Sequence, residues 1–139
     1  MSKLKFFLNY AKYRFKSDSE HNIHSPFIFD LYNDTICDDT PFYVYDDIES
    51  IRAKLLLTDK GIIIDDYGAG SKVNKSSTRK IKDIVTNTVR SPKYGRLLFR
   101  LVNRFKPSTI LELGTSLGIS TLYMAGPDKA TNVTTVEGC

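Results

Sequence analysis

The sequence predicts an α/β chain in which a helical N-terminal portion leads into one parallel βαβ unit. Three observations carry this. Stretches before residue 92 repeat apolar residues at helical spacing. The last third changes to an apolar run, a glycine bend, a helix and a β-branched run. No internal repeat or low-complexity tract interrupts that order. Residues 1–91 are therefore read as a helical extension with a short strand and glycine turn at about 61–71, and residues 92–139 as the start of a sheet-based domain.

Leu4, Phe7, Leu8, Ala11 and Phe15 fall on one helical stripe, with Lys3, Lys5, Lys12, Arg14 and Lys16 around it, which predicts an amphipathic helix. A basic helix with aromatics suits a membrane surface, but the expected role of the stripe is packing on its own domain or a partner chain, with no membrane. After a polar turn at 17–22, Ser25 before Pro26 has the form of an N-cap and first-turn proline, so a helix is expected to about Ile36. His21 and His24 are three apart, yet no carboxylate or cysteine completes a ligand set and Pro26 places both ahead of the helix; no metal is expected. Ile48, Ile51 and Leu55 predict a helix over 46–57, with Asp46, Asp47 and Glu49 in a first turn that favours negative charge. Residues 61–65 are expected to form a β-branched strand, and 72–77 a polar loop. Helices are expected at 78–87 and 92–105, the second with Leu97, Leu98, Leu101, Val102 and Phe105 on one face and Arg96, Arg100 and Arg104 on the other.

Thr109 to Leu113 is an apolar run of the kind buried on both faces of a parallel sheet. Gly114 to Gly118 is a glycine turn, Ile119 to Ala125 a helix stopped by Gly126-Pro127-Asp128, and Asn132 to Glu137 a second strand with an acidic end. Strand, glycine turn, helix and acid-tipped strand in that order make a right-handed βαβ unit of the nucleotide-binding, Rossmann-like type.

Composition narrows the setting. The 139 residues, 41% hydrophobic and 26% charged, suffice for one domain with a modest core. No apolar run approaches the roughly 20 residues of a membrane span, and Asn9, Lys12 and Arg14 break the N-terminus before a signal-peptide core forms; a cytoplasmic location is expected. Cys37 and Cys139 belong to no CxxC pair or Cys/His cluster, which indicates two free thiols. The formal charge of +4 is uneven, acidic over 30–49 and basic over 72–106. The basic stretch fits a solvated helix surface or a phosphate-rich partner.

Two glycine segments compete for a ligand. Asp66-Tyr67-Gly68-Ala69-Gly70-Ser71 matches a general D-x-G-x-G pattern better than Glu112-Leu113-Gly114-Thr115-Ser116-Leu117-Gly118 does. Context favours the second, because a ligand loop should open into a helix with an apolar side and Lys72 to Ser77 has none. An acidic strand end about 20 residues on should hold ribose hydroxyls, and Glu137 meets this for the second loop only. The first remains a tight surface turn or a lid. Three residues separate Gly114 from Gly118, so the G-x-G-x-x-G dinucleotide spacing fails, and no G-x-x-x-x-G-K-[ST] triphosphate loop occurs. A carboxylate at Glu112 would repel a pyrophosphate but suits the ammonium of S-adenosylmethionine.

Tyr94-Gly95-Arg96-Leu97-Leu98 followed by Lys106-Pro107-Ser108-Thr109-Ile110-Leu111-Glu112-Leu113-Gly114-Thr115-Ser116-Leu117-Gly118-Ile119-Ser120-Thr121 resembles the class I S-adenosylmethionine-dependent methyltransferases, in the branch of the catechol and caffeoyl-coenzyme A O-methyltransferases. The likeness covers about residues 92–137. It implies that Glu112 meets the methionine amino group, that Gly114, Thr115, Ser116 and Gly118 line the methionine and ribose side of the pocket, that Ser120 sits near the carboxylate, and that Glu137 accepts from both ribose hydroxyls. Helix capping is an equal reading for Thr121. The family has a seven-stranded sheet whose catalytic residues lie beyond the second strand. The chain ends two residues after Glu137, so the expectation is a truncated Rossmann-like portion, weak or inactive alone, with an unidentified methyl acceptor and a strand edge open to pairing with a second copy. The alternative expectation is a basic nucleic-acid-binding module, or part of an RNA methyltransferase.

Overall fold

The computed structural model describes residues 3–16, 24–64, 78–89 and 91–138. The polar turn at 17–22 with His21, residues 65–77 with Gly68 and Gly70, and Cys139 lie outside the described residues. Helices mix with two small sheets, an α/β arrangement that divides into two compact units, residues 1–38 and 39–139.

In the first unit, α1 spans Lys3–Lys16 and α2 spans Pro26–Leu31, continued by a π-helical turn at Tyr32–Ile36. The Ser25 hydroxyl accepts from the Ile28 amide at 3.4 Å, the N-cap that the Ser-Pro pair announces. Along the stripe of α1, Leu4, Phe7, Leu8 and Phe15 are exposed, Phe15 by 90%.

The second unit opens with α3 at Tyr43–Leu56, three residues before the expected start, which leaves Asp46 as the acid of its first turn. Strand β1 at Gly61–Ile63 pairs antiparallel with β2 at Thr78–Lys80, Ile62 opposite Arg79. This corrects the helix expected from residue 78: α4 begins at Ile81 and runs to Thr88. Helical spacing could not separate the two, because the three residues before Ile81 are drawn into a ladder with a partner distant in sequence. Asp59 ties the region together, 2.6 Å from Lys82 Nζ and 3.6 Å from Lys80 Nζ. The hydrogen bond from Lys82 and the charge of both lysines hold its carboxyl below the ordinary 3.8.

Helix α5 at Pro92–Phe105, strand β3 at Thr109–Leu113, helix α6 at Ile119–Ala125 and strand β4 at Asn132–Val136 follow the sequence reading, save that Glu137 lies just past the end of β4. Strands β3 and β4 pair in parallel, with Glu112 opposite Thr135 and Leu113 opposite Val136. One face of the pair, with Ile110, Glu112, Val133 and Thr135, is half-buried. The other is exposed, Leu111 by 64% and Leu113 by 79%, so the expected burial on both faces holds for one. Among the described residues, β3 has a strand partner on one side only.

An aromatic cluster forms the core. The Phe99 ring lies 4.8 Å from Phe42 and 5.1 Å from Tyr45, and Tyr45 lies 5.9 Å from Tyr123. Ile48 and Ile119 complete it. The buried line of α5 is Gly95, Phe99 and Val102, with Phe105 exposed, a rotation from the expected leucine face. Arg100 is buried as well, and the Arg96 guanidinium stands 5.2 Å above the Tyr45 ring. The arginine row is thus partly absorbed into packing.

Gly95 is required by contact: a Cβ there would stand 2.3 Å from the Tyr123 ring. Tyr123, fully buried, donates to Glu49 Oε1 at 2.7 Å, and Glu49 also accepts from Arg52 Nε at 3.0 Å. Burial first, then the bond to Glu49 and its charge, push the Tyr123 phenol up to about 12.

Two outcomes are expected. Gly95→Ala lowers the unfolding free energy by about 1–3 kcal/mol through overpacking, measured by urea denaturation. Because the folded phenol titrates above the unfolded 10.0, its stabilisation is complete below pH 10 and is lost as pH rises through about 12. An ultraviolet tyrosine titration of Tyr123→Phe should therefore lose a late-titrating phenol present in the unaltered chain, at a cost near pH 7 of about 1.5 kcal/mol for its bond to a carboxylate.

Candidate functional site

The βαβ unit brings two distant parts of the sequence to one place. Strand β3 carries Glu112 on its half-buried face and ends at Leu113. The chain then turns through Gly114 at φ 96°, Ser116 at φ 48° and Gly118 at φ 73° before α6 begins. Three left-handed residues within five reverse the backbone sharply, and glycine at two of them avoids most of the steric cost. The Gly114 amide donates to Val136 O at 2.8 Å, carrying the parallel ladder one residue beyond β3. The Gly118 amide closes the turn on Thr115 O at 2.9 Å.

Side chains from β4 and from Glu137 just after it then clasp the bend. The Thr115 and Thr135 hydroxyls are 2.5 Å apart, and the Ser116 amide donates to Glu137 Oε2 at 2.5 Å. Glu137 also accepts from the Gly138 amide at 3.0 Å. On the α6 side, the Thr121 hydroxyl donates to Glu112 Oε2 at 2.5 Å. Gly118 is the N-cap of α6, so Thr121 serves the carboxylate instead of the capping role open to it in sequence.

A cleft of about 390 Å³ opens beside the bend, within the span of roughly 300–1,000 Å³ usual for small-molecule sites. Of the residues proposed from sequence, Glu112, Gly114, Thr115, Ser116 and Ser120 line it. Gly118 caps α6 behind the bend, and Glu137 reaches the site through the Ser116 amide. Val89, Leu98 and Met124 supply an apolar wall that motif reading missed, although the helical spacing of 92–105 puts Leu98 on an apolar face. Thr135 was also missed, although its parallel partnership with Glu112 puts both on one face.

The charge of the cleft is distinctive. Its described lining includes a carboxylate, hydroxyls and loop backbone, and neither Lys nor Arg. Such a surface suits a ligand with a cationic end and hydroxyl donors and disfavours a phosphate. A smaller cavity of about 210 Å³ at the start of α3 mixes Asp39 and Asp46 with Arg96 and Arg100 and has no glycine bend. Among the described residues no three His, Cys, Asp or Glu side chains gather as a metal site, and no helix is long and apolar enough to cross a membrane.

Glu137→Ala should release the bend while leaving the sheet in place. Hydrogen exchange at the Ser116 amide is expected to accelerate roughly five- to tenfold, the equivalent of the ~1–1.5 kcal/mol typical of one such bond, with the amides of β3 unchanged. No family model, curated protein or solved structure matches this chain.

Proposed function

We propose that the chain carries the S-adenosylmethionine-binding portion of a class I methyltransferase, and that its βαβ unit belongs to a Rossmann-like sheet. The observation that carries this reading is the meeting of the bend after β3 with the carboxylate after β4, joined by the Ser116–Glu137 hydrogen bond. Glu112 supplies a negative charge in the cleft for the ammonium of the cofactor's amino acid end. Glu137, an acceptor at the tip of the adjacent strand, takes the ribose hydroxyls. Gly114, Thr115, Ser116, Gly118 and Ser120 contribute backbone and hydroxyl groups to the wall between them.

When bound, the cofactor supplies a methyl group activated on a sulfonium. The residues named here hold that ligand in one orientation, and methyl transfer by in-line attack draws a large part of its rate from such positioning. The resemblance of residues 92–137 to the catechol and caffeoyl-coenzyme A branch supports the same reading. The absence of cations among the described residues lining the cleft also favours it over a phosphate ligand. The burial of Arg100 reduces the basic surface on which a nucleic-acid reading depends.

Calorimetry with S-adenosylhomocysteine tests the proposal. The chain should release binding heat, and Glu137→Ala should raise Kd at least tenfold, since a hydrogen bond to a charged group contributes about 1.5–3 kcal/mol. An RNA titration across a salt series runs beside it. A steep salt slope with no heat from S-adenosylhomocysteine would replace the cofactor reading with the nucleic-acid one.

A further inference from the structure

We infer that Thr121 is a positioning residue that aims the Glu112 carboxylate at the cationic amino acid end of the ligand; this rests on the cofactor reading above. Glu112 is the penultimate residue of β3, half-buried and part of the cleft lining. A glutamate there has three rotatable side-chain bonds, and a carboxylate free to turn would lose conformational entropy each time it met a ligand. Thr121, in the first turn of α6, removes that freedom in advance. Its hydroxyl donates to Glu112 Oε2 at 2.5 Å.

A carboxylate has two oxygens and about four acceptor directions, so one donor from Thr121 leaves acceptor capacity for an ammonium. The hydroxyl donates without adding charge, and Glu112 therefore keeps its full attraction for a cation. A lysine or arginine in the same place would cancel it. Threonine in a helix has only two favoured χ1 settings, fewer than an unbranched side chain has to search. Half-burial of both partners lowers the local dielectric and strengthens the bond relative to one in open water. Helix capping explains none of this, since the N-cap position belongs to Gly118.

The inference concerns the amino acid end of the ligand alone, and two ligands separate it from the adenosine end. S-adenosylhomocysteine carries an amino acid; 5′-methylthioadenosine has the same adenosine and sulfur without it. In calorimetry, Thr121→Val is expected to weaken S-adenosylhomocysteine about tenfold, the usual scale for one hydrogen bond to a charged group, and to leave 5′-methylthioadenosine within a factor of two. Thr121→Ser, which retains the hydroxyl, should restore most of the loss. An equal loss for both ligands in Thr121→Val would mean a general structural role and overturn the positioning role, as would unchanged affinity for S-adenosylhomocysteine. No heat from either ligand with the unaltered chain would overturn the cofactor reading itself, and this inference with it.

Discussion

The second unit depends on the seating of Tyr123 against the backbone of α5 at Gly95. The ring occupies the space that any Cβ at residue 95 would need, and its hydroxyl is anchored on Glu49 of α3. One side chain therefore sets the approach of α6 to α5 and ties it to α3. Closely packed aromatic surfaces have few alternative arrangements, so the position of α6 is set closely. Because α6 begins directly after the glycine bend and β3 ends directly before it, fixing the helix also fixes one end of the bend.

The other end is held by different physics. Where the aromatic cluster is apolar and buried, the bend is held by hydrogen bonds among Thr115, Thr135, Ser116, Glu137 and the Val136 carbonyl. Several of these groups are exposed or half-buried. Such bonds exchange with water at modest cost, and polar contacts of this kind can be traded for contacts with a ligand. A rigid apolar base with an exchangeable polar rim is the division of labour usual in small-molecule sites. It also explains why one carboxylate can satisfy a loop amide here and be proposed as a ribose acceptor: both tasks call for an acceptor at the tip of the second strand.

The arginines of α5 show how a surface reading changes in three dimensions. Spaced four apart, Arg96, Arg100 and Arg104 form a charged row. Yet the helix is contacted on more than one side, so Arg100 is buried and Arg96 lies over Tyr45. Phe105, counted with the apolar face, is exposed by 52%. Periodicity identifies that a helix is amphipathic, but the direction of its buried line depends on which partners arrive, and those come from residues as distant as Tyr45 and Tyr123.

Local chemistry sufficed for much of the fold. The bounds of α5, β3 and α6, the Ser25 cap and the order strand, bend, helix, strand follow from neighbours within a few residues: prolines at first turns, glycines where φ is positive, β-branched runs. The candidate carboxylates Glu112 and Glu137 were legible for the same reason, as each is marked by its place at a strand end. Only the tertiary structure decided the pairing of Thr78–Lys80 with Gly61–Ile63, the rotation of α5, the close approach at Gly95, and the turning of Thr121 towards Glu112. Each of these depends on groups brought together from separate elements, and a one-dimensional pattern records which residues a segment offers, while the packed chain determines which of them meet.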